Sequence, residues 1–289
     1  MNRAITQRSL LWLASLAALV GAYTLVANRV QRPDLLPTTQ DIVQTFAALV
    51  VRGNAQPAGD PHHEHHQHHA RSSDQVDTLV QQGVTLQDAL AVSTARVLFG
   101  LAVGLPLGIL IGVLLGWSRR TDDYLHPVFV LVRSVPPLSL ITYIMLWLGH
   151  SEAHRLIPIV YAVATTAVIP TYHAVRDVAA RYLVAARSLG ARGRLLVTKV
   201  LLPAASPTVL GGLRYAVAIA WMTAVGAEML MAENGMGNLL VGGGMWSSRT
   251  QTRSDPAVII AGVITLAAAG WAMDAGARLL TARLTRWVR

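Results

Sequence analysis

The sequence contains no cysteine and a single lysine, Lys199, and charged residues make up only 13% of its 289 positions. The absence of cysteine excludes a disulfide framework and thiol chemistry. Soluble domains carry about 25% charged residues, whereas this chain has about half that share and is 53% hydrophobic. So little charge cannot cover the surface of a soluble protein of this length. The composition therefore indicates a protein embedded in a membrane.

The sequence motifs of nucleotide binding and of hydrolysis are also absent. No Gly-x-x-x-x-Gly-Lys-Ser/Thr run occurs, since the only lysine is followed by valine. Gly-x-Ser-x-Gly and His-Glu-x-x-His patterns are missing as well. The net charge of +9 comes almost wholly from arginines, but they form no continuous stripe with interleaved aromatic residues, so nucleic-acid binding is not indicated. We expect no enzyme active site and no cofactor bound by this chain.

Six apolar blocks are long enough to cross a membrane, because about 20 helical residues span a hydrocarbon core about 30 Å thick. Lipid offers no hydrogen-bonding partners to an open backbone, so each block is expected to be helical. The predicted spans cover residues 9–28, 95–117, 127–148, 156–175, 208–231 and 257–278. No clear small-residue cleavage site follows the first block, which favours a retained anchor over a signal peptide. We predict an all-α integral membrane protein with six transmembrane helices.

The positions of arginine and lysine predict the orientation of these spans. If the N-terminus is cytoplasmic, fourteen of these residues fall in inner segments and seven in outer segments. This asymmetry agrees with the positive-inside rule. Both termini are then expected to be cytoplasmic.

A polar tract over residues 53–77, between the first and second spans, is rich in histidine. Its histidines are His62, His63, His65, His66, His68 and His69. Such low-complexity composition predicts disorder, and neutral imidazoles bind zinc, copper or nickel. The tract is either a metal-collecting segment or a variable insertion whose metal binding is incidental. Short amphipathic helices are predicted on either side of it, over residues 34–51 and 78–94.

Two features inside the predicted spans suggest specific contacts. Glycine recurs at every fourth position of the second span, at Gly104, Gly108, Gly112 and Gly116. Such a stripe lets two helix backbones approach closely, so we expect packing against another helix of the bundle or of a second copy. Glu228 lies toward the outer end of the fifth span, where an ionisable group suggests a function. We expect it to gate a pathway or pair with a cation, or to bond to the glycine-rich turn over residues 234–244.

The inner loop over residues 177–203, between the fourth and fifth spans, carries the most specific pattern. It reads Val184-Ala185-Ala186, then Gly190, and after nine further residues Val200-Leu201-Leu202-Pro203. Good helix formers precede Gly190, which predicts a helix over residues 177–189 that ends at this glycine. A second short helix is predicted over residues 191–199, running up to Pro203. A helix–turn–helix with basic faces suits the docking of a soluble partner.

The spacing of this loop resembles the "EAA" loop of type I permeases from binding-protein-dependent ATP-binding-cassette (ABC) importers. The chain is most similar to permeases for nitrate, sulfonates, taurine and similar small anions. Supporting matches lie at residues 93–97, 134–137, 211–214 and 227–229, and the resemblance covers about residues 85–285. The first position of the loop motif, glutamate in the family, is Val184 in this sequence.

The resemblance implies a domain organisation and a set of partners. It implies an N-terminal helix over residues 1–30, a periplasmic segment over 31–84, and a permease domain over 85–285 with a coupling loop at 177–203. The coupling loop would dock an ATPase through Val184, Ala185, Ala186, Gly190, Leu202 and Pro203. Two copies of that separate ATPase would use ATP. A second permease copy, expected to be identical, would complete the pathway, and a periplasmic or lipid-anchored binding protein would deliver the solute. The chain would then be a bacterial inner-membrane subunit that imports a small anion.

Two other functions remain open from the residues alone. The histidine-rich tract is compatible with a permease for a metal or a metal complex. A secondary transporter without an ATPase would need internal repeats and polar groups near the membrane midplane. We find no half-to-half similarity and few midplane charges in the sequence.

Overall fold

The structure is a computed structural model. It describes residues 37–51, 85–149, 151–178, 180–231, 234–241 and 256–286, together with parts of 14–29. All regular structure in these residues is helical, which confirms the predicted all-α class. The helices are α1 (Thr39–Val51), α2 (Leu86–Trp117), α3 (Arg119–Arg133), α4 (Pro137–Leu148), α5 (Glu152–Arg176), α6 (Ala180–Ser188), α7 (Leu202–Met231), α8 (Met236–Leu240) and α9 (Pro256–Leu284). A short helical stretch, Arg194–Leu196, and a π-helical stretch, Val197–Leu201, lead into α7.

Four of the described helices are long and apolar enough to cross a membrane: α2, α5, α7 with its π-helical entry, and α9. They contain the predicted second, fourth, fifth and sixth spans. Large apolar side chains such as Leu146 and Trp271 stay 81% and 69% exposed, as expected for a surface that faces lipid or another subunit. The predicted first span lies largely outside the described residues, although residues 20–27 are helical.

The predicted third span, 127–148, is wrong as a continuous helix. Two helices, α3 and α4, take its place, and they are bent by 83° relative to each other. Helix α3 begins earlier than predicted, at Arg119, because the Ser118 hydroxyl caps it by accepting a hydrogen bond from the backbone N–H of Thr121. The break comes at Pro136 and Pro137, which have no N–H to donate to the preceding helical turn. Neither helix alone is long enough to cross a membrane, so α3 and α4 can form a span only together.

The two amphipathic helices predicted around the histidine-rich tract have different outcomes. Helix α1 occupies most of the first, residues 34–51. A separate helix over residues 78–94 is wrong, because α2 runs without a break for 32 residues from Leu86 into the membrane span. The Thr85 hydroxyl starts it by accepting the backbone N–H of Asp88 at 2.9 Å. The histidine-rich tract itself lies outside the described residues.

The glycine stripe of α2 lies against α5. A Cβ atom at Gly108 would come 2.3 Å from the carbonyl oxygen of Ala164, and one at Gly112 would come 2.7 Å from that of Val168. Gly104 and Gly116 meet α5 in the same way. The two backbones are therefore in direct contact, and the partner of the stripe is a helix of the same chain.

Helices α2, α5 and α7 enclose the main core. Its buried residues include Val97 and Leu101 from α2, Ile159 from α5, and Ala220 and Ala224 from α7. Small side chains on α7 let it pack closely beside the α2–α5 pair. This three-helix core carries a cluster of charged residues at one end and the loop 177–203 at the other.

Candidate functional site

The first half of the loop over residues 177–203 is helix α6, which ends in a tight turn at Gly190. The helix covers Ala180–Ser188, shorter than the predicted 177–189. The backbone N–H of Gly190 donates to Arg187 and that of Ala191 donates to Ala186, both at 3.0 Å. This pair of bonds is a Schellman motif, which requires a left-handed residue after the helix. Gly190 supplies it with φ of +85°.

The helix in the second half of the loop continues past Pro203, so the prediction of a separate short helix over residues 191–199 is wrong. The helix starts at Arg194 and continues through Val197–Leu201 into α7. A π-helical turn comes just before Pro203, where a regular α-turn would bring the carbonyl of Lys199 against the proline ring. Leu202 and Pro203 thus lie in the first turn of a helix that runs into the membrane, and the loop is joined rigidly to α7.

Helix α6 has one packed side and one open side. Leu183 packs against a buried cluster that includes Val175 at the end of α5 and Leu201 before α7. On the open side, Val184 is 60% and Leu189 is 88% exposed. Ala185 is exposed and Ala186 half-buried. The open side is therefore an apolar surface, which we call the α6 surface.

Positive charge accompanies the α6 surface. Arg187 lies in the last turn of α6, and Arg192 follows the turn at Gly190; both are exposed. Exposed arginines around exposed apolar side chains are typical of a protein–protein contact. The α6 surface can accept an apolar partner with an acidic rim.

At the opposite end of the core, Glu228 lies in a buried cluster of charged and polar groups. Its side chain is 0% exposed, and the side chain of Arg96, on α2, is 5% exposed. The Arg96 guanidinium donates to Glu228 Oε1 at 2.8 Å. The Ser93 hydroxyl lies 2.7 Å from Glu228 Oε2 and donates to the carboxylate. A buried carboxylate is tolerated only with such partners.

Arg96 uses all its donors within this cluster. Its Nε and one terminal nitrogen donate to the two carboxylate oxygens of Glu152 at 3.1 and 2.9 Å. The other terminal nitrogen donates to Glu228 and to the carbonyl oxygen of Asn234 at 3.2 Å, and the Asn234 side chain accepts a bond of 2.6 Å. The planar fork of arginine satisfies five acceptors, whereas lysine has three donors and no fork. The cluster therefore requires arginine at this position.

The same cluster caps the short buried helix α8. The residue before this helix, Gly235, has no side chain to act as a cap. Instead, Ser93 Oγ accepts the N–H of Met236 at 2.8 Å, and Glu228 Oε2 accepts the N–H of Gly237 at 3.0 Å. A negative charge at a helix N-terminus is favourable. A Cβ atom at Gly235 would lie 2.5 Å from Glu228 Cδ, and its φ is +106°, so glycine is needed there.

Both contacts considered for Glu228 are present, one with a cation and one with the glycine-rich turn. The cluster joins α2, α5, α7 and the start of α8. Sequence reasoning did not identify Arg96 as the partner, although an arginine within an apolar block already indicates a nearby carboxylate. A gating role for Glu228 stays a prediction.

The predicted metal-binding histidines, His62 to His69, lie outside the described residues. Within the described part of the chain, no group of three or more His, Cys, Asp or Glu residues is placed to hold a metal ion. Metal binding by the tract stays a prediction.

Comparison with known proteins gives one family and several relatives. Residues 104–286 match the family described as the binding-protein-dependent transport system inner membrane component. The aliphatic sulfonates transport permease protein SsuC of Bacillus subtilis (strain 168) is 32% identical over 198 residues, which cover 68% of this chain and 69% of that protein. The taurine transport system permease protein TauC of Escherichia coli (strain K12) is 30% identical over 203 residues, 70% and 71% of the two chains.

The fold has a solved counterpart. A chain of the MetNI methionine ABC transporter in an inward-facing conformation superposes with a TM-score of 0.55 and 18% identity, covering 69% of this chain and 94% of that one. At this identity the match shows the fold alone. It agrees with the predicted type I permease fold.

Proposed function

Since this chain belongs to the family of binding-protein-dependent transport system inner membrane components, we propose that it imports a small anion such as a sulfonate, taurine or nitrate. The membership confirms the predicted identity as a multi-pass ABC permease subunit, which is a transport component and not itself an enzyme. The substrate proposal is supported by relatives named for aliphatic sulfonates and for taurine. Both kinds of compound carry a sulfonate group.

The proposed assembly contains two copies of this permease and two ATPase subunits, which use the ATP. A periplasmic or lipid-anchored binding protein delivers the anion on the outer side. In this proposal residues 31–84 are periplasmic, residues 85–285 form the permease domain, and both termini are cytoplasmic. The excess of arginine in the inner segments supports this orientation.

The observation that carries the coupling proposal is the open α6 surface. In the assembly, Val184 and Leu189 lie against the ATPase, and the small side chains of Ala185 and Ala186 allow close approach. Leu183 and the continuous helix at Leu202 then transmit the motion of the ATPase to α5 and α7, because rigid helices carry rigid-body movement. With valine in place of the family's glutamate, this contact is apolar instead of ionic.

Co-purification from mild detergent tests the coupling proposal. We expect the ATPase to accompany the tagged wild-type permease and to be lost from an Ala185→Glu variant, because an unpaired carboxylate would be buried in an apolar contact. The matched control is Ala282→Glu, at an exposed position near the end of α9, which should retain the ATPase. Retention of the ATPase by both variants would place docking elsewhere.

Uptake into proteoliposomes tests the substrate proposal. The reconstituted complex with its binding protein should accumulate labelled taurine, an alkanesulfonate or nitrate, and only with ATP inside the vesicles. Uptake without ATP would support a secondary transporter instead. Accumulation of Zn²⁺ but of none of the anions would support the metal-importer alternative that the histidine-rich tract suggests.

A further inference from the structure

The bend between α3 and α4 lies beside a tyrosine of α5. The Tyr161 hydroxyl is within hydrogen-bonding distance of the carbonyl oxygens of Val132 and Val135, 3.0 Å in the second case. Tyr161 is nine residues from the start of α5 at Glu152, which is about 14 Å along a helix at about 1.5 Å per residue. The bend therefore lies within the hydrocarbon core, which is about 30 Å thick, and not at its surface.

The carbonyl groups at this bend have lost their helical partners. In a continuous helix the carbonyl of Val132 would accept from residue 136, but Pro136 has no N–H, and this carbonyl instead accepts the N–H of Val135 at 3.2 Å. The carbonyl of Val135 would accept from Ser139, whose N–H donates to Pro136 instead, at 3.0 Å. A carbonyl left without a partner at membrane depth is costly. Of this pair, the carbonyl of Val135 is the one that has lost its backbone donor, and the single O–H of Tyr161 lies 3.0 Å from it.

On the other side of the bend, α4 packs against a glycine of α7. A Cβ atom at Gly226 would lie 2.6 Å from Cδ2 of Leu138, in the first turn of α4. Helix α7 is continuous with the loop that carries the α6 surface. The start of α4 is thus held between α5, through Tyr161, and the helix that leads to the proposed ATPase contact.

Helix α4 exposes polar side chains as well as apolar ones. Ser139, Thr142 and Tyr143 are exposed and border one shallow cavity, while Ile141 is the buried residue of this helix. Irregular backbone at membrane depth is tolerated where it is buried in protein or lines a water-filled cavity. Hydroxyl groups on the face that follows such a break can donate hydrogen bonds to an anion without holding it by a full charge.

We propose that Tyr161 and Gly226 are positioning residues for translocation, which set the angle of α4 and so present Ser139, Thr142 and Tyr143 to the passing anion. This inference rests on the proposed transport function. Tyr161 acts on the carbonyl groups before the break, and Gly226 leaves room for Leu138 after it. Neither residue needs to touch the solute.

Two measurements on matched variants test the proposal. Tyr161→Phe removes a single hydroxyl and should lower anion uptake about tenfold, the effect of one carbonyl left without a donor at membrane depth, while the ATPase still binds and hydrolyses ATP. Tyr215→Phe, at a 65% exposed tyrosine of α7, is the control and should transport normally. Gly226→Ala should also lower uptake, and a second substitution, Leu138→Ala, should restore part of it by removing the clashing methyl group.

The angle itself can be measured without transport. Because the chain has no cysteine, cysteines introduced at Tyr124 of α3 and Leu146 of α4, both exposed, can be spin-labelled uniquely. We expect the distance distribution between the labels to be broader or shifted in Tyr161→Phe. An unchanged distribution overturns the proposal, as does normal uptake by this variant. If the wild-type complex transports none of the anions, the proposed substrate class fails, while the label distances still decide whether Tyr161 sets the bend.

Discussion

Replacing Arg96 by methionine should destabilise the permease strongly, because it leaves the Glu228 carboxylate buried without its cation. The lost bonds to Glu152 matter less, since that side chain is 54% exposed and water can replace them. The loss is concentrated at Glu228, which is 0% exposed. Removing one partner of a buried ion pair costs about 3–5 kcal/mol. We therefore expect a decrease of this size in the free energy of unfolding.

A double variant separates the charge effect from a packing effect. In Arg96→Met with Glu228→Gln, the buried position is neutral, and the glutamine oxygen can still accept the N–H of Gly237. Since neutral replacement of a buried pair is often nearly free of cost, the double variant should be more stable than Arg96→Met alone. Arg214→Met is the control, because its pair with Asp274 is half-exposed at the arginine and an exposed pair contributes little to stability.

These differences in stability can be measured by unfolding the purified variants in mixed detergent micelles. The micelles are titrated with SDS, and unfolding is followed by tryptophan fluorescence. The reasoning predicts the order wild type, Arg214→Met, double variant, Arg96→Met, from most to least stable. Glu228→Gln alone completes the set: if the double variant loses as much stability as Arg96→Met and Glu228→Gln lose together, Arg96 and Glu228 are not energetically coupled. A stability of Arg96→Met equal to that of the wild type would refute the importance of the cluster.

Three further variants test other parts of the structure. Gly108→Ala should lower the free energy of unfolding by about 1–3 kcal/mol, because it overpacks the α2–α5 contact. Gly270→Ala is the control, since a Cβ atom there meets no atom of the described residues within 4 Å. Equal stability of the two variants in SDS titration would contradict this prediction. Val184→Glu should lower the yield of co-purified ATPase about tenfold or more, because it buries a charge without a partner in the contact. An unchanged yield would indicate that the contact at this position is ionic. Deleting residues 62–69 should reduce Zn²⁺ bound per purified chain in equilibrium dialysis and leave anion uptake unchanged, while a loss of uptake would give the tract a role in transport.

The sequence alone predicted the features that depend on local composition. The spans around α2, α5, α7 and α9 could be recognised because a lipid-crossing helix needs only sufficient length and apolarity. The end of α6 was also predictable, since Gly190 is the residue type that a left-handed C-cap requires. The spacing of Ala185, Ala186, Gly190 and Pro203 resembles the "EAA" loop of known permeases; that resemblance implied the identity of the protein, and the family match confirms it.

Other features were visible in the sequence only in part. The glycine stripe centred on Gly108 predicted a close helix contact but left its partner open. Pro136 and Pro137 lie inside the segment that was predicted as one span, and each removes a helical hydrogen bond. The 83° bend between α3 and α4 also depends on the hydrogen-bond donor that Tyr161 supplies and on the space that Gly226 leaves. A proline removes a hydrogen bond locally, but the direction in which the chain then turns is decided by its neighbours.

The buried cluster was decided by the tertiary structure. Arg96 and Glu228 are 132 residues apart in the chain, and each alone is an unfavourable charge in an apolar segment. Packing of α2 against α5 and α7 brings the two charges within 2.8 Å and gives the buried helix α8 its cap. Local composition determines which segments enter the membrane, whereas the pairing of charges inside it depends on how those segments pack together.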